Sequence, residues 1–211
     1  MQNLDIKNDK QQSSAGGNSL DGRVALVTGA TGGLGKAIVR ELRNREANVY
    51  GIDILGEDVI HADLATSGGN RDMVAHVLAA AGHLDILILN AGCQFVSPIG
   101  DFPYVEWERL RGVMLDGPFF AMKAAWPSLT RSSGGRVVVT ASTSSFTGAV
   151  GEAGYTAAKH GVLGLVRVAA LEGAPYGLTV NAVAPGWMDT DMMRGQVEEQ
   201  AAAMGMSTEW V

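Results

Sequence analysis

The chain has 211 residues, enough for one domain with a sizeable core, since domains usually run to about 100–200 residues. Hydrophobic residues make up 46% and charged residues 18%, which excludes a disordered or collagen-like chain. A formal net charge of −6 without any Lys/Arg run argues against a nucleic-acid partner, and a single cysteine, Cys93, leaves no internal disulfide framework and suits a reducing compartment.

Residues 1–20 are polar, rich in Gln, Asn, Ser and Gly, and without apolar periodicity, so they read as a disordered N-terminal tail ahead of a single domain, 21–211. After Asp21-Gly22 short apolar runs alternate with longer amphipathic ones. Strands are expected at Val24–Thr28, Asn48–Ile52, Val59–His61, Asp85–Asn90, Arg136–Ala141 and Thr179–Ala184. Between them, helices are expected over 33–46, 70–81, 104–131 with an interruption at Gly117-Pro118, and 152–173. Alternation of this kind predicts an α/β fold: a doubly wound parallel sheet of the Rossmann type, in three α/β/α layers. No apolar run reaches the roughly 18 residues that span a bilayer, and the N-terminus lacks a signal peptide's charged-then-apolar order. A cytoplasmic location with no membrane contact is the expectation. The four histidines, His61, His76, His83 and His160, show no metal-ligand spacing, and no metal is expected.

Two constellations carry chemistry. The first is Thr28-Gly29-Ala30-Thr31-Gly32-Gly33-Leu34-Gly35, which follows a strand and opens a helix. Glycines there let backbone N–H groups approach a pyrophosphate at the positive end of the helix dipole. Asp53, eighteen residues after Gly35, stands where an acidic side chain accepts from both ribose hydroxyls of a dinucleotide. Its charge would repel a 2′-phosphate and no basic residue follows it, which favours NAD over NADP; the competing reading is a loop cap. Asp63, beside Leu64, fits either an adenine contact or a turn. Asn90-Ala91-Gly92 ends the fourth strand at the edge where such sheets meet their ligands.

The second constellation is Ser142, Tyr155 and Lys159. Tyr155 and Lys159 are four apart in a helical run and project from one face; such a pair by itself is commonly a solvated face. With Ser142 ending an apolar strand nearby, the lysine ammonium and the positive nicotinamide of an oxidised cofactor would lower the tyrosine pKa, and the serine would hold a substrate oxygen during hydride transfer. Cys93 and His160 read as packing residues, and the run of Met188, Met192, Met193, Met204 and Met206 as a lid.

The glycine turn at 28–35, Asn-Ala-Gly at 90–92, Ser142, Tyr-Thr-Ala-Ala-Lys at 155–159 and Pro185-Gly186 occur in one order and spacing. Together they resemble the short-chain dehydrogenase/reductase family over residues 22–211. The resemblance implies an NAD-dependent enzyme interconverting a secondary alcohol and a ketone, with Tyr155 as acid/base, Ser142 orienting the carbonyl and Lys159 also binding the nicotinamide ribose. Gly29, Thr31, Gly33, Leu34, Asp53, Asp63, Leu64, Asn90, Ala91 and Gly92 would hold the cofactor, with Pro185, Gly186, Met188 and Thr190 at its nicotinamide end. It also implies a small hydroxy or keto substrate and a homo-oligomer, dimer or tetramer.

Segments 90–103, 158–165 and 196–207 are similar to D-3-hydroxybutyrate dehydrogenases. In those enzymes polar and basic side chains hold the substrate carboxylate. The matching substrate positions here are Gln94, Ser144, Glu152, Trp187 and Gln196, with Ser144 and Glu152 standing where His and Lys are usual. Met114 takes the place of an Asn that relays protons, and methionine cannot do so. The family pattern continues past Val211 with a helix, a seventh strand and a tail, so a C-terminally incomplete fold is expected. The alternative function is a non-catalytic NAD-binding protein of the same fold.

Overall fold

Val24–Thr28, strand β1, is buried along its whole length, as a strand covered on both faces must be. The other strands are β2 (Asn48–Asp53), β3 (Ile60–His61), β4 (Ile86–Leu89), β5 (Arg136–Thr140) and β6 (Thr179–Val183). The helices are α1 (Gly33–Asn44), α2 (Ser67–Ala81), α3 (Tyr104–Arg111), α4 (Gly117–Leu129) and α5 (Ala153–Gly173). This computed structural model describes residues 19–188 together with 194, 195, 197, 201, 205 and 207. All strand pairs are parallel, in the order β3-β2-β1-β4-β5-β6, with Val27 opposite Gly51 on one side and Ile88 on the other. The order reverses between β1 and β4, so the carboxyl ends of these two strands open a crevice suited to a ligand.

Alternation along the strands builds two cores. Leu26, Leu87, Val137 and Val139 face Met73 and Val77 of α2, Ala121, Ala125 and Leu129 of α4, and Val162 and Val166 of α5. Ala25, Val27, Ile86 and Ile88 face Ile38, Val39 and Leu42 of α1 on the opposite side. Among the described residues the sheet ends at β6.

The elements match expectation in type and order, and their ends move for identifiable reasons. α1 stops at Asn44 because Glu46 takes a left-handed conformation, φ 72°. α2 begins three residues early because Thr66 caps it, accepting the Gly69 N–H at 3.0 Å. Asp85 precedes β4, its carboxylate engaged by Arg23, Ser132 and the Val24 N–H. The interruption expected at Gly117-Pro118 is instead a π-helical turn, Gly112–Asp116, joining α3 to α4 without a break. Pro118 lacks an amide donor and its ring would crowd the Met114 carbonyl, and one wider turn accommodates both. Leu20, assigned to the tail by composition, packs on the α1-side core, and its N–H donates to the Arg45 carbonyl at 2.7 Å. Residues 1–18 lie outside the described residues.

Candidate active site

The glycine turn between β1 and α1 is shaped by contacts that only glycine tolerates. Gly29 has φ 66°, and a Cβ there would stand 2.8 Å from the Ala91 Cα. A Cβ on Gly35 would fall on the Gly29 carbonyl oxygen. Gly32 caps α1 without a side-chain hydrogen bond, and the first turn carries no acidic residue, so the amides there are not claimed by a neighbouring carboxylate. These features fit a dinucleotide pyrophosphate.

Asp53 ends β2 beside this turn. Thr31 donates to Asp53 Oδ2 twice, from its amide at 3.0 Å and its hydroxyl at 2.7 Å, while Ile54 N–H donates to Oδ1 at 2.8 Å. The carboxylate keeps further lone pairs for ribose hydroxyls. Asp63 forms a turn: its Oδ1 accepts the Ala65 N–H at 3.0 Å. The Leu64 side chain belongs to the main core.

Asn90 and Ala91 tie the sheet's carboxyl edge together. Their amides donate to the Thr28 hydroxyl at 3.0 and 3.1 Å, and Asn90 Nδ2 donates to the Thr28 and Gly29 carbonyls. Asn90 Oδ1 accepts the Thr140 hydroxyl at 3.2 Å. Sequence reasoning missed Thr28 and Thr140 as organisers; their signal was a polar residue closing each of two apolar strands.

Ser142, 8% exposed, follows β5 and caps the short turn Thr143–Ser145, its Oγ accepting the Ser144 N–H at 3.1 Å. Tyr155 and Lys159 face it from α5, and the Ser142 hydroxyl is close enough to the Tyr155 phenol to favour its ionised form. Lys159 Nζ lies 5.6 Å from the Tyr155 ring centroid and donates to the Thr140 carbonyl at 2.6 Å. Burial lowers the Lys159 pKa to about 8. Burial also raises that of Tyr155; the Ser142 hydroxyl opposes the rise, and Glu152 and Cys93 add to it. Burial sets the direction of the Tyr155 shift, whereas the expected lowering also counts the positive nicotinamide of an oxidised cofactor and so belongs to the cofactor complex.

Gln94, Ser144 and Glu152 come together beside this triad. Gln94 Nε2 donates to Glu152 Oε1 at 3.1 Å and Ser144 Oγ to Oε2 at 3.4 Å, with Glu152 only 2% exposed. Arg109, which sequence reasoning did not single out, holds the Gln94 carbonyl at 3.1 Å. Met114 is buried next to Gly92, whose Cβ would lie 3.8 Å from its sulfur. Cys93 packs on the small cluster of Leu110, Met114 and Ala158, and burial pushes its thiol pKa up, the mark of an unreactive packing residue.

Pro185 and Gly186 lie against the serine turn: the Pro185 carbonyl accepts the Thr143 N–H at 3.0 Å, and Gly186 approaches the Thr143 methyl. Met188 is half-buried and Trp187 is exposed. Thr190 and Gln196, and the lid positions Met192, Met193, Met204 and Met206, fall outside the described residues. Among the described residues no group of three metal-ligating side chains forms, and no helix is long and apolar enough to cross a membrane.

A family model described as short chain dehydrogenase matches residues 23–201. The chain is 41% identical over 193 residues to the oxidoreductase YxjF of Bacillus subtilis, covering 84% of this chain and 75% of that protein. It is 34% identical over 206 residues to the D-beta-hydroxybutyrate dehydrogenase of Cupriavidus necator, covering 90% and 80%. Its fold is similar to that of an NAD+-bound xylitol dehydrogenase, with a TM-score of 0.81 and 30% identity over 87% of this chain and 77% of that one.

Proposed function

This chain belongs to the short-chain dehydrogenase family, and from that premise we propose that it interconverts a small, uncharged secondary alcohol and its ketone with NAD as the hydride carrier. The carrying observation is the convergence of Ser142, Tyr155 and Lys159 at the carboxyl edge of the sheet, with Ser142 acting on the phenol and the ammonium beside its ring. NAD supplies hydride acceptance and return when bound. The amides that open α1, those of Gly33, Leu34 and Gly35, would hold its pyrophosphate and Asp53 its adenosine ribose. Lys159 would bind the nicotinamide ribose, with Pro185, Gly186, Met188 and Thr190 around the ring. Similarity to an NAD+-bound xylitol dehydrogenase and the uncompensated charge at Asp53 support NAD over NADP.

Tyr155 exchanges the substrate proton. Its raised pKa keeps it protonated near neutrality, ready to donate to a ketone oxygen, and alcohol oxidation gains as rising pH exposes the phenolate. Ser142 donates to the same oxygen, where charge develops in the transition state. At the far end of the site Glu152 stands where hydroxybutyrate dehydrogenases carry a cation. Glu152 brings a hydrogen-bond acceptor to that place, which disfavours a free carboxylate substrate, itself only an acceptor.

A panel of neutral alcohols, polyols and hydroxy acids, read by NADH formation, tests this reading. A second reading, NAD binding without turnover, is favoured by Met114, which fills the relay position with an apolar side chain. NADH binding with no turnover across the panel would select it. A cytoplasmic homo-oligomer completes the proposal; light scattering tests its assembly state.

A further inference from the structure

Gln94 and Glu152 are 58 positions apart, and their contact is set by the backbones that carry them. The Ser97 N–H donates to the Gly151 carbonyl at 3.0 Å, and Ser97 and Glu152 form a parallel bridge. Gly151 permits the approach: its φ is 81°, and a Cβ there would stand 2.7 Å from Val96 Cγ1. Arg109 fixes the Gln94 carbonyl from the other side.

A carboxylate accepts hydrogen bonds and does not donate them, so Glu152 fixes which end of the Gln94 amide it meets. The amide nitrogen faces Glu152 and the amide oxygen faces away. Gln94 Oε1 is shut off from solvent and has no hydrogen-bond partner among the described residues. Such an acceptor is unfavourable until a donor reaches it, and a substrate hydroxyl is one such donor. This acceptor is linked to the reacting centre through hydrogen bonds. Ser144, bonded to Glu152 through Oγ, donates its amide to Ser142 Oγ at 3.1 Å, and the Glu152 charge acts on the Tyr155 phenol.

We propose that Gln94 Oε1, oriented by Glu152 and Ser144, accepts a hydroxyl hydrogen from the carbon next to the reacting carbon, so that the site selects vicinal polyols and α-hydroxy ketones. This rests on the dehydrogenase reading above. A carboxylate in that place would bring only acceptors to an acceptor; a hydroxyl brings the missing donor. In the oxidation bound NAD+ would supply the hydride acceptor for the C–H hydrogen, and the O–H proton would pass to the Tyr155 phenolate, leaving the ketone. The neighbouring hydroxyl is unchanged.

The test compares the stereoisomers of 2,3-butanediol with 2-butanol by kcat/KM in the full chain. Calorimetry of acetoin against 2-butanone, with NADH present, gives a readout independent of turnover. The diol and the hydroxy ketone should each be favoured by at least ~10-fold, since a site built to bond a hydroxyl rejects the analogue lacking it. Gln94→Leu should bring both ratios within about threefold of one. Glu152→Gln, which frees the amide to turn, should lower both and decides the matter if the leucine variant does not fold. Ratios near one in the parent, or ratios that survive both substitutions, would overturn the selection while leaving the dehydrogenase reading standing. Absence of both turnover and NADH binding would remove the dehydrogenase reading and this proposal with it.

Discussion

Thr31 places two hydrogen bonds, from its amide and its hydroxyl, on the same carboxylate oxygen of Asp53. The glycine turn thereby holds directly the carboxylate proposed to meet the ribose, and the Thr31 methyl also packs on Gly56 of the loop after β2, where a Cβ would come within 2.6 Å. The parent should bind NADH at least ~10-fold more tightly than NADPH, about 1.4 kcal/mol. Thr31→Val keeps the backbone bond and loses the hydroxyl, and should narrow that preference by ~3-fold or more in cofactor fluorescence titrations. An unchanged preference would show that Asp53 does not depend on Thr31.

Gly35→Ala drives a methyl group into the Gly29 carbonyl, a backbone atom that cannot swing aside. The strain should cost roughly 1–3 kcal/mol, read as a lowered denaturation midpoint, with NADH affinity reduced as the turn opens. Wild-type affinity in a stable Gly35→Ala variant would mean that the turn tolerates displacement.

At the opposite end of the sheet, burial alone would raise the Asp85 pKa. Hydrogen bonds from Ser132 at 2.5 Å, the Val24 N–H at 2.9 Å and Arg23, together with the His83 charge, lower it below the ordinary carboxylate value. A folded pKa below the unfolded one gives stability that is full above the unfolded value and is lost as pH falls through the folded one. Asp85→Asn should cost roughly 1–3 kcal/mol at pH 7, and the gap should close in acid. Denaturant melts at neutral and acidic pH measure this, and a gap constant with pH would assign it to packing.

Much of this was legible in the chain because the signals are local. A strand of Val, Ala, Leu and Val runs straight into the glycine turn, and Tyr155 and Lys159 share a helix face by spacing alone. What escaped depends on distance or on a choice between similar local forms. The Gln94–Glu152 contact joins loops 58 positions apart through a backbone bridge that no periodicity announces. Pro118 signalled a disturbance, but a break and a π turn answer the same missing donor. The sign of the Tyr155 shift turns on burial, a property of the packed fold.

Lys159 offers a pH test of its burial. Its pKa is lowered from 10.5 to about 8, so the unfolded chain binds more protons than the fold between those values. The burial cost is therefore full below about pH 8 and fades as pH rises toward 10.5. Lys159→Met should raise Tm relative to the parent near pH 7, less so near pH 10, while turnover is lost at both. A difference in Tm that is flat with pH would contradict a buried ammonium.

In the proposed reaction the Tyr155 hydroxyl exchanges the substrate proton. Tyr155→Phe keeps the ring and removes only that group, so kcat for the best alcohol of the panel should fall by ~10²–10⁴ while NADH affinity stays within about twofold of the parent. A Tyr155→Phe variant that retained wild-type kcat would contradict the account.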